Sequence, residues 1–373
     1  MKKLIIFSTT LLSLSLVLWL NGCTTTGSKS SENPALSPKA ADEISVMTFN
    51  TENLFDHLHD KNREDFTFLP LSAKSAPEIA QGCQALKGYY QRECFETDWN
   101  EQMVERKMKN VAEVIQSVEG TRGPDILILI EVENENILNQ LNKKHLASSE
   151  YQTQVLIEGP DERGIDVAVL SRFPLQGQAQ LHKIPYKGQT PEDQKWMDRS
   201  RGVLEVPLKL PDGQKVTVFA AHFPSQRNPR YWRAQSVAFV KAKLEQMKNE
   251  MAIVGGDLNI SQDEEDEVGF FGKELSSVAT VAHLVGCDHC DGTHEYRSTW
   301  SFLDTLLFSQ ALGEKGQAPY RLIKESVDVV KYTPNHLFKG RSPRRFDKKT
   351  GEGVSDHFPV YARIKKRDLT SVK

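Results

Sequence analysis

The sequence has no excess of basic residues. Its 47 lysines and arginines are outnumbered by 50 aspartates and glutamates, for a formal net charge of −3, so no global positive field attracts nucleic acid. No internal repeat is apparent, which argues against a repeat architecture. Cysteine is scarce, with five in 373 residues, and a single Cys-x-x-Cys cannot by itself supply a four-ligand zinc site. With 39% hydrophobic and 26% charged residues, the composition suits one large globular domain.

A long apolar run occurs at the N-terminus, over residues 4–20, behind two lysines. This pattern is typical of a short secretory signal rather than a membrane span. It ends in Leu20-Asn21-Gly22-Cys23, which resembles a bacterial lipobox. We therefore expect residues 1–22 to be a lipoprotein signal peptide, Cys23 to carry lipid, and residues 23–42, rich in Ser, Thr and Pro, to be a flexible tether. Thr24 after the cysteine favours, by resemblance to sorting rules, an exported protein anchored to the bacterial outer membrane, and no protein partner is implied.

Four cysteines remain when Cys23 is set aside, namely Cys83, Cys94, Cys287 and Cys290. An even number suits an oxidising compartment. Of the three possible connectivities we favour Cys83 with Cys94 and Cys287 with Cys290. The alternative is that Cys287-Asp288-His289-Cys290 forms half of a zinc site, with His283 or His294 nearby.

Two helices are indicated by apolar residues that recur every three or four positions. Such stripes face the core of a protein. The residues are Val104, Met108, Val111, Ile115 and Val118 in the first helix, and Ala234, Val237, Val240, Leu244 and Met247 in the second.

Several apolar, strand-like segments carry a polar residue at one end. These residues are Asn50, Glu131, His222, Asp257 with Asn259, Asp304, and Asp356 with His357. Each alone has an ordinary explanation, such as a Gly-Asp turn after residue 254 or an acidic helix start at Glu131. Asp304 is harder to dismiss, because a carboxylate in an apolar run is costly unless a group such as a histidine pairs with it. Together the series predicts a pocket of acid, amide and imidazole groups, which suits metal-assisted attack on a phosphate ester.

In this order the motifs resemble the endonuclease/exonuclease/phosphatase superfamily, the DNase I-like metal-dependent phosphoesterases, over roughly residues 43–364, and we place the enzyme domain at residues 43–366. The resemblance implies an α+β fold, a four-layer α/β-sandwich in which two mixed β-sheets pack face to face with helices outside. It also places the active site at one end of the sandwich. The two glycines before Asp257 are expected to let the backbone turn tightly.

The resemblance also implies a metal site. Glu131 would be the main ligand, with Asn50 and Asp356 as nearby or water-mediated partners. Carboxylate and amide oxygens suit a hard divalent cation, Mg²⁺ or alternatively Mn²⁺ or Ca²⁺. The same ligands could serve one ion or two.

Catalytic roles follow in the same way. Asp257, assisted by Asn259, would align or deprotonate the attacking water. His357, polarised by Asp304, would stabilise charge on the phosphate. His222 would assist departure of the leaving group or bind the phosphate.

The substrate is indicated less directly. Arg172, in a segment that matches one skirting the phosphate in the family, is expected to bind substrate together with Asn259 and His222. Several other arginines flank the motifs and favour an anionic, phosphate-bearing substrate. The leading interpretation is a secreted, membrane-anchored endonuclease or phosphodiesterase that hydrolyses nucleic acid. The alternatives are a phosphatase or sphingomyelinase-like hydrolase of a phospholipid or small phosphoester, and a binding lipoprotein without catalysis.

Overall fold

The computed structural model describes residues 38–368. The predicted signal peptide and the tether as far as residue 37 lie outside the described residues. Among the described residues the first strand begins at Glu43 and the last ends at Lys366. The division into signal peptide, tether and enzyme domain stays a prediction.

The secondary structure alternates between strands and helices. The strands of the described residues are β1 (Glu43–Leu54), β2 (Ile126–Val132), β3 (Thr153–Leu156), β4 (Asp166–Ser171), β5 (Gln180–His182), β6 (Val203–Lys209), β7 (Lys215–His222), β8 (Ala252–Asp257), β9 (Ala279–Val281), β10 (His294–Tyr296), β11 (Thr299–Ser301), β12 (Asp304–Ser309), β13 (Tyr320–Val329), β14 (Leu337–Phe338), β15 (Ser342–Pro343) and β16 (Val360–Lys366). The α-helices are α1 (Pro77–Ala85), α2 (Tyr89–Glu96), α3 (Glu101–Ile115), α4 (Glu135–His145), α5 (Pro191–Met197), α6 (Arg230–Gln246), α7 (Gln262–Val268) and α8 (Ala282–Val285). Short 3₁₀ turns lie at Phe66–Phe68, Leu71–Ser75, Glu119–Thr121, Ala147–Ser149, Gln310–Leu312 and Pro334–His336, and a π-helical turn lies at Phe270–Leu275.

Two six-stranded sheets form the centre of the molecule. Their strand orders are β13-β16-β1-β2-β4-β3 and β5-β6-β7-β8-β12-β9. In each sheet one central pair is parallel, β1 with β2 and β7 with β8, and the other pairs are antiparallel. Both sheets are therefore mixed, as predicted.

Strand β2 illustrates how the layers form. Its sequence is apolar on both faces, and successive residues of a strand point to opposite sides. Ile128 packs into the core between the sheets, whereas Leu127 and Leu129 pack into a second core that includes residues of α3 and α4. A third core joins the other sheet to α6. The predicted four-layer sandwich is confirmed.

The two helices predicted from apolar stripes are also confirmed. Each helix ends before the last residue of its predicted stripe. Val118 lies beyond the end of α3, and Met247 is the residue immediately after α6. Among the residues that the structure describes, no helix is both long and apolar enough to cross a membrane.

Gly255 and Gly256 belong to β8 rather than to a turn, so that expectation was wrong. A Cβ atom on Gly255 would lie 2.5 Å from Cδ1 of Ile128 in the facing sheet. A Cβ atom on Gly256 would lie 1.8 Å from the carbonyl oxygen of Ala221 on the neighbouring strand. The two glycines permit a close backbone approach, and this approach brings the end of β8 near the first sheet.

Residues 66–96 form a small substructure between β1 and α3, here named the α1–α2 lobe. Cys83 of α1 is bonded to Cys94 of α2. The buried Lys74 ammonium donates to the carbonyl oxygens of Cys94 at 2.5 Å and of Thr97 at 2.6 Å.

The second disulfide joins Cys287 to Cys290. Both favoured pairings are thus present. Because these two sulfurs are bonded to each other, the zinc alternative is not realised.

Candidate active site

The ends of four strands meet at one end of the sandwich. Asn50 and Glu131 lie on the parallel pair β1 and β2, and His222 and Asp257 are register partners on the parallel pair β7 and β8. The carboxyl ends of parallel strands share one edge of a sheet. The Asn50 amide joins the two sheets, since its Nδ2 donates to Asp257 Oδ2 at 3.0 Å and lies 3.4 Å from Glu131 Oε1.

Two further residues reach the same edge from the starts of strands. Asp304 begins β12, which is antiparallel to β8, and it lies opposite Asp257 in the register. His357 lies just before β16, which is antiparallel to β1. The start of an antiparallel strand coincides with the end of its neighbour, so both side chains join the strand-end residues.

Asp304 and His357 form a buried pair. Asp304 Oδ2 lies 2.7 Å from His357 Nδ1, and the exposed fraction of the two residues is 0% and 7%. Burial lowers the pKa of His357, but the charges of Asp304, Asp257 and Asp356 outweigh it and raise that pKa well above its ordinary value. The predicted orienting contact is present, and it favours the imidazolium form.

Asp257 is held by donors on both oxygens. Oδ2 accepts from Asn50, and Oδ1 accepts from the backbone N–H of Asn259 at 2.8 Å. Burial raises the pKa of Asp257 to about 7, Asp304 and Glu131 add to the increase, and His357 opposes it. The Asn259 amide itself donates to the carbonyl oxygen of Phe223 at 3.2 Å, so Asn259 fixes the loop as well as the carboxylate.

His222 differs from His357 in its charge. Burial, aided by the positive charges of Arg201 and Arg163, lowers the pKa of His222 well below its ordinary value. Its Nε2 lies 3.6 Å from Asp257 Oδ2 and 3.8 Å from Glu131 Oε1. His222 is therefore neutral and faces the two carboxylates.

Glu131 occupies a strained position. Its φ is 64°, as is unusual for a non-glycine residue, and Asn53 and Asn259 also have positive φ, at 60° and 52°. Such backbone strain clusters at functional sites. The Asn53 N–H donates to Glu131 Oε2 at 3.0 Å, which leaves Oε1 facing the site.

A cluster that the sequence reasoning missed surrounds Asp356. Arg345 donates from Nε to Asp356 Oδ2 at 3.0 Å and lies 3.0 Å from Glu52 Oε1. Burial and the charge of Asp356 raise the pKa of Glu52 to about 7. Burial would also raise the pKa of Asp356, but the charges of His357 and Arg345 outweigh it and lower that pKa to about 2. Glu52 has the spacing from Asn50 that puts both on one strand face, and this could have revealed it. Arg345 was among the arginines noted as flanking the motifs, but no sequence pattern predicted its contacts with Asp356 and Glu52.

Lys107 and His294 were also missed. Lys107 is buried and donates to the carbonyl oxygens of Glu52 at 2.9 Å and Val354 at 2.6 Å. It lies within the apolar stripe of α3, three residues after Val104, and a charge on that face was a usable signal. The His294 ring lies 5.0 Å from that of His357, and burial lowers its pKa to about 4.

Arg172 is not part of the site, so its assignment as a substrate-binding residue was wrong. Its guanidinium bonds to Asp125 Oδ1 at 2.8 Å and to the carbonyl oxygen of Ser149 at 2.6 Å. Asp125 precedes β2, whereas Glu131 lies near the other end of that strand. Arg172 stabilises the opposite edge of the sheet.

The residues present fit a divalent cation. The carboxylates of Glu131, Asp257, Asp356 and Glu52 line the site, where Arg345, Lys107 and His357 balance part of their charge. Hard oxygen donors of this kind suit Mg²⁺, Mn²⁺ or Ca²⁺. Asn50 Oδ1 already accepts the N–H of Glu52 at 3.0 Å, and its NH₂ faces the carboxylates. Asn50 thus positions carboxylates in this arrangement, and its role as a direct ligand stays a prediction.

Comparison with known proteins identifies the family. Residues 91–366 match the profile described as the Endonuclease/Exonuclease/phosphatase family. The chain belongs to this family. An endonuclease/exonuclease/phosphatase from Beutenbergia cavernae DSM 12333 is similar in structure, with 14% identity, a TM-score of 0.54, and coverage of 87% of this chain and 72% of that chain. TDP2 from Caenorhabditis elegans has 16% identity, a TM-score of 0.50 and coverage of 87% and 74%.

The mannosyl-6-phosphatase Bt3783 of Bacteroides thetaiotaomicron VPI-5482 has 15% identity, a TM-score of 0.47 and coverage of 86% and 99%. No curated protein matches the chain. The fold is that of the DNase I-like endonuclease/exonuclease/phosphatase proteins. As a member of the family the chain is a hydrolase of phosphoric esters, and enzymes of this family generally use divalent metal ions.

Proposed function

We propose that the chain is a divalent-metal-dependent phosphodiesterase that cleaves nucleic acid. The observation that carries this proposal is the buried pair of Asp304 and His357, 2.7 Å apart, directly beside Asp257 and the strand end that carries Glu131. A buried imidazolium, a carboxylate of near-neutral pKa and a metal-binding carboxylate are the groups that hydrolysis of a phosphate ester needs.

Asp257 is the residue placed to handle the attacking water. With a pKa of about 7 it can exchange a proton near neutral pH. The donors from Asn50 and Asn259 hold its oxygens in a fixed direction. Asp257 accepts the proton of the water as the new P–O bond forms.

His357 is the residue placed to stabilise the phosphate. Its Nδ1 is held by Asp304, while its Nε2 lies 4.0 Å from Asp257 Oδ2 and 3.9 Å from Asp356 Oδ1 and so points into the site. The imidazolium donates to a non-bridging oxygen, where negative charge builds in the transition state. Neutral His222 contacts the phosphate or the leaving group from the side of β7.

Glu131 would hold the cation, assisted by Asp356. Burial first, and then the charge of Asp356, raise the pKa of Glu52, and a bound cation would favour its ionised form. A bound divalent ion would neutralise charge on the phosphate and lower the pKa of a coordinated water. Oxygen donors favour Mg²⁺, and Mn²⁺ or Ca²⁺ accept the same set.

Arginines on both sides of the site favour a polymeric substrate. Arg163 and Arg201 are close enough to lower the pKa of His222. On the other side Arg345, whose side chain is 70% exposed, contacts Asp356. A nucleic acid carries phosphates on both sides of the scissile bond, whereas a small monoester carries one, and guanidinium groups on both sides suit the former. Each of these groups also pairs within the protein, Arg163 and Arg201 with Asp161 and Arg345 with Asp356.

We also propose that the enzyme is exported and anchored to the bacterial outer membrane through a lipid on Cys23. The lipobox-like Leu20-Asn21-Gly22-Cys23 after the apolar run of residues 4–20 supports this. The tether would allow the enzyme domain to reach substrates outside the cytoplasm.

The full-length chain, purified in detergent, would be assayed with closed circular DNA, linear DNA, RNA, sphingomyelin and inositol phosphates, with Mg²⁺ and with EDTA. We expect Mg²⁺-dependent cleavage of nucleic acid, with nicking of the circular DNA if the enzyme is an endonuclease. His357→Ala serves as the inactive control. Faster turnover of sphingomyelin or inositol phosphates than of any nucleic acid would refute the proposed substrate.

A further inference from the structure

An exposed aromatic pair lies at the start of α2 in the α1–α2 lobe. Tyr89 is 60% exposed and Tyr90 44%. Their rings meet edge to face, with centroids 5.7 Å apart. Two adjacent exposed rings offer apolar faces on which a planar ligand can stack.

Tyr90 is connected to the second sheet. The guanidinium of Arg227 lies over its ring at 5.1 Å and donates to its hydroxyl. The preceding residue, Gln226, donates to the backbone carbonyl oxygen of Asn259. The loop after β7 thus connects Tyr90 to the end of the strand that carries Asp257.

Tyr89 is connected to the loop before β16. Its hydroxyl donates to Glu93 Oε1 at 3.2 Å, and Lys348 of that loop pairs with Glu93 at 2.7 Å. Arg345 of the same loop bonds to Asp356 and Glu52 in the site. The tyrosine pair is therefore joined, directly or through Glu93, to two loops that lead to the site, one after β7 and one before β16.

The lobe that carries the pair is held in place. The Cys83–Cys94 disulfide joins its helices. Lys348 pairs with Glu93 at 2.7 Å, and Lys349 pairs with Glu96 at 3.3 Å. A fixed surface loses little freedom when a ligand binds, which favours recognition.

We propose that Tyr89 and Tyr90, together with Arg227, form a stacking platform for bases of a single-stranded nucleic acid whose scissile phosphate occupies the site. Aromatic faces stack on any base, and guanidinium groups stack on rings and pair with phosphates. Paired bases in a duplex offer no such free faces, so the platform selects single strands. This inference rests on the proposed nuclease function.

The test uses the full-length chain and its variants Tyr89→Leu and Tyr90→Leu. The substrates are a short single-stranded oligonucleotide, an abasic oligonucleotide of the same length, and methyl p-nitrophenyl phosphate, a diester without bases. We expect each variant to raise KM for the oligonucleotide about tenfold, equivalent to about 1.4 kcal/mol, with kcat within about twofold. The abasic strand should bind wild type and variants equally, and the small diester should be turned over at unchanged rates.

Two further variants separate stacking from structure. Tyr90→Phe keeps the ring and should restore the KM of wild type. Phe95→Leu changes another exposed aromatic residue of α2, 37% exposed, five positions after Tyr90 and on a different side of the helix, and should have no effect.

Unchanged KM in the leucine variants, while wild type cleaves the oligonucleotide, would overturn the platform and leave the nuclease function standing. An equal rise of KM for the abasic strand would overturn base stacking in the same way. Hydrolysis of phosphomonoesters such as mannose 6-phosphate, with no cleavage of any oligonucleotide, would overturn the nuclease function and the platform with it.

Discussion

The pair of Asp304 and His357 allows an unusually clear test, because the variants of the pair should rank differently in rate and in stability. Asp304→Asn removes the negative charge from a side chain with no solvent exposure and keeps its shape. His357→Ala removes the imidazole and leaves a buried carboxylate whose Oδ1 already lacks a hydrogen-bond partner. The double variant removes both the charge and the ring.

The expected loss of rate follows from the role of the imidazolium. Removal of one preorganised donor to a developing negative charge costs about 100- to 1,000-fold in kcat. Asp304→Asn should approach this loss, because without the carboxylate the pKa of His357 falls and its ring orientation is no longer fixed. The double variant should be little worse than His357→Ala, since residues that act as a unit are not additive.

The three variants should rank differently in stability than in rate. Removing one partner of a buried ion pair costs about 3–5 kcal/mol, because the remaining charge is left without compensation. His357→Ala should therefore be the least stable variant. The double variant should regain part of the free energy of unfolding, since it no longer contains an unpaired buried charge.

Turnover per folded molecule and urea unfolding would be measured for wild type and the three variants. If Asp304 is only a structural carboxylate, stability will fall while turnover per folded molecule is preserved. Rate losses that multiply in the double variant would likewise refute a catalytic pair.

Three other predictions follow from the site and the N-terminus. Glu131→Gln should abolish activity at low Mg²⁺ while the melting temperature is retained, and unchanged metal affinity measured by calorimetry would contradict its role as the main ligand. Activity should rise as pH passes about 7, because Asp257 must lose its proton, and should fall only well above the ordinary pKa of histidine, where His357 loses its own. The contribution of His357 to the free energy of unfolding should be complete below pH of about 6.5 and lost as pH rises through its raised pKa; a flat profile of rate and stability with pH would disprove both assignments. Cys23→Ser should release the protein from the membrane fraction or block its processing, and equal membrane association of both forms would exclude lipid anchoring.

Much of the site could be predicted because its residues lie at the ends of strands. A buried apolar run fixes a strand, and a polar residue at its end must lie at an edge of the sheet. Asn50, Glu131, His222 and Asp257 were found in this way, and the pairing of Asp304 with a histidine followed from the cost of an isolated buried carboxylate. The fold came from the resemblance that these motifs carry.

Arg172 shows the limit of this reasoning. It also follows a buried strand, but β4 is antiparallel to β2, so its end lies at the far edge. A sequence indicates where a strand ends. The direction of that strand within the sheet depends on its pairing with strands that are distant in the sequence. Arg345 was noted among the arginines that flank the motifs, but its contacts with Glu52 and Asp356 were not predicted, because they depend on the path of the loop between β15 and β16.

The position of β16 has a consequence for the timing of activity. This strand lies between β13 and β1, inside the first sheet, and His357 lies three residues before its start. Until β16 pairs with β1, the site lacks its imidazolium, and Asp304 has no partner. We expect a chain still emerging from the ribosome to be inert, so that the enzyme becomes hydrolytic only after β16 has been made and inserted.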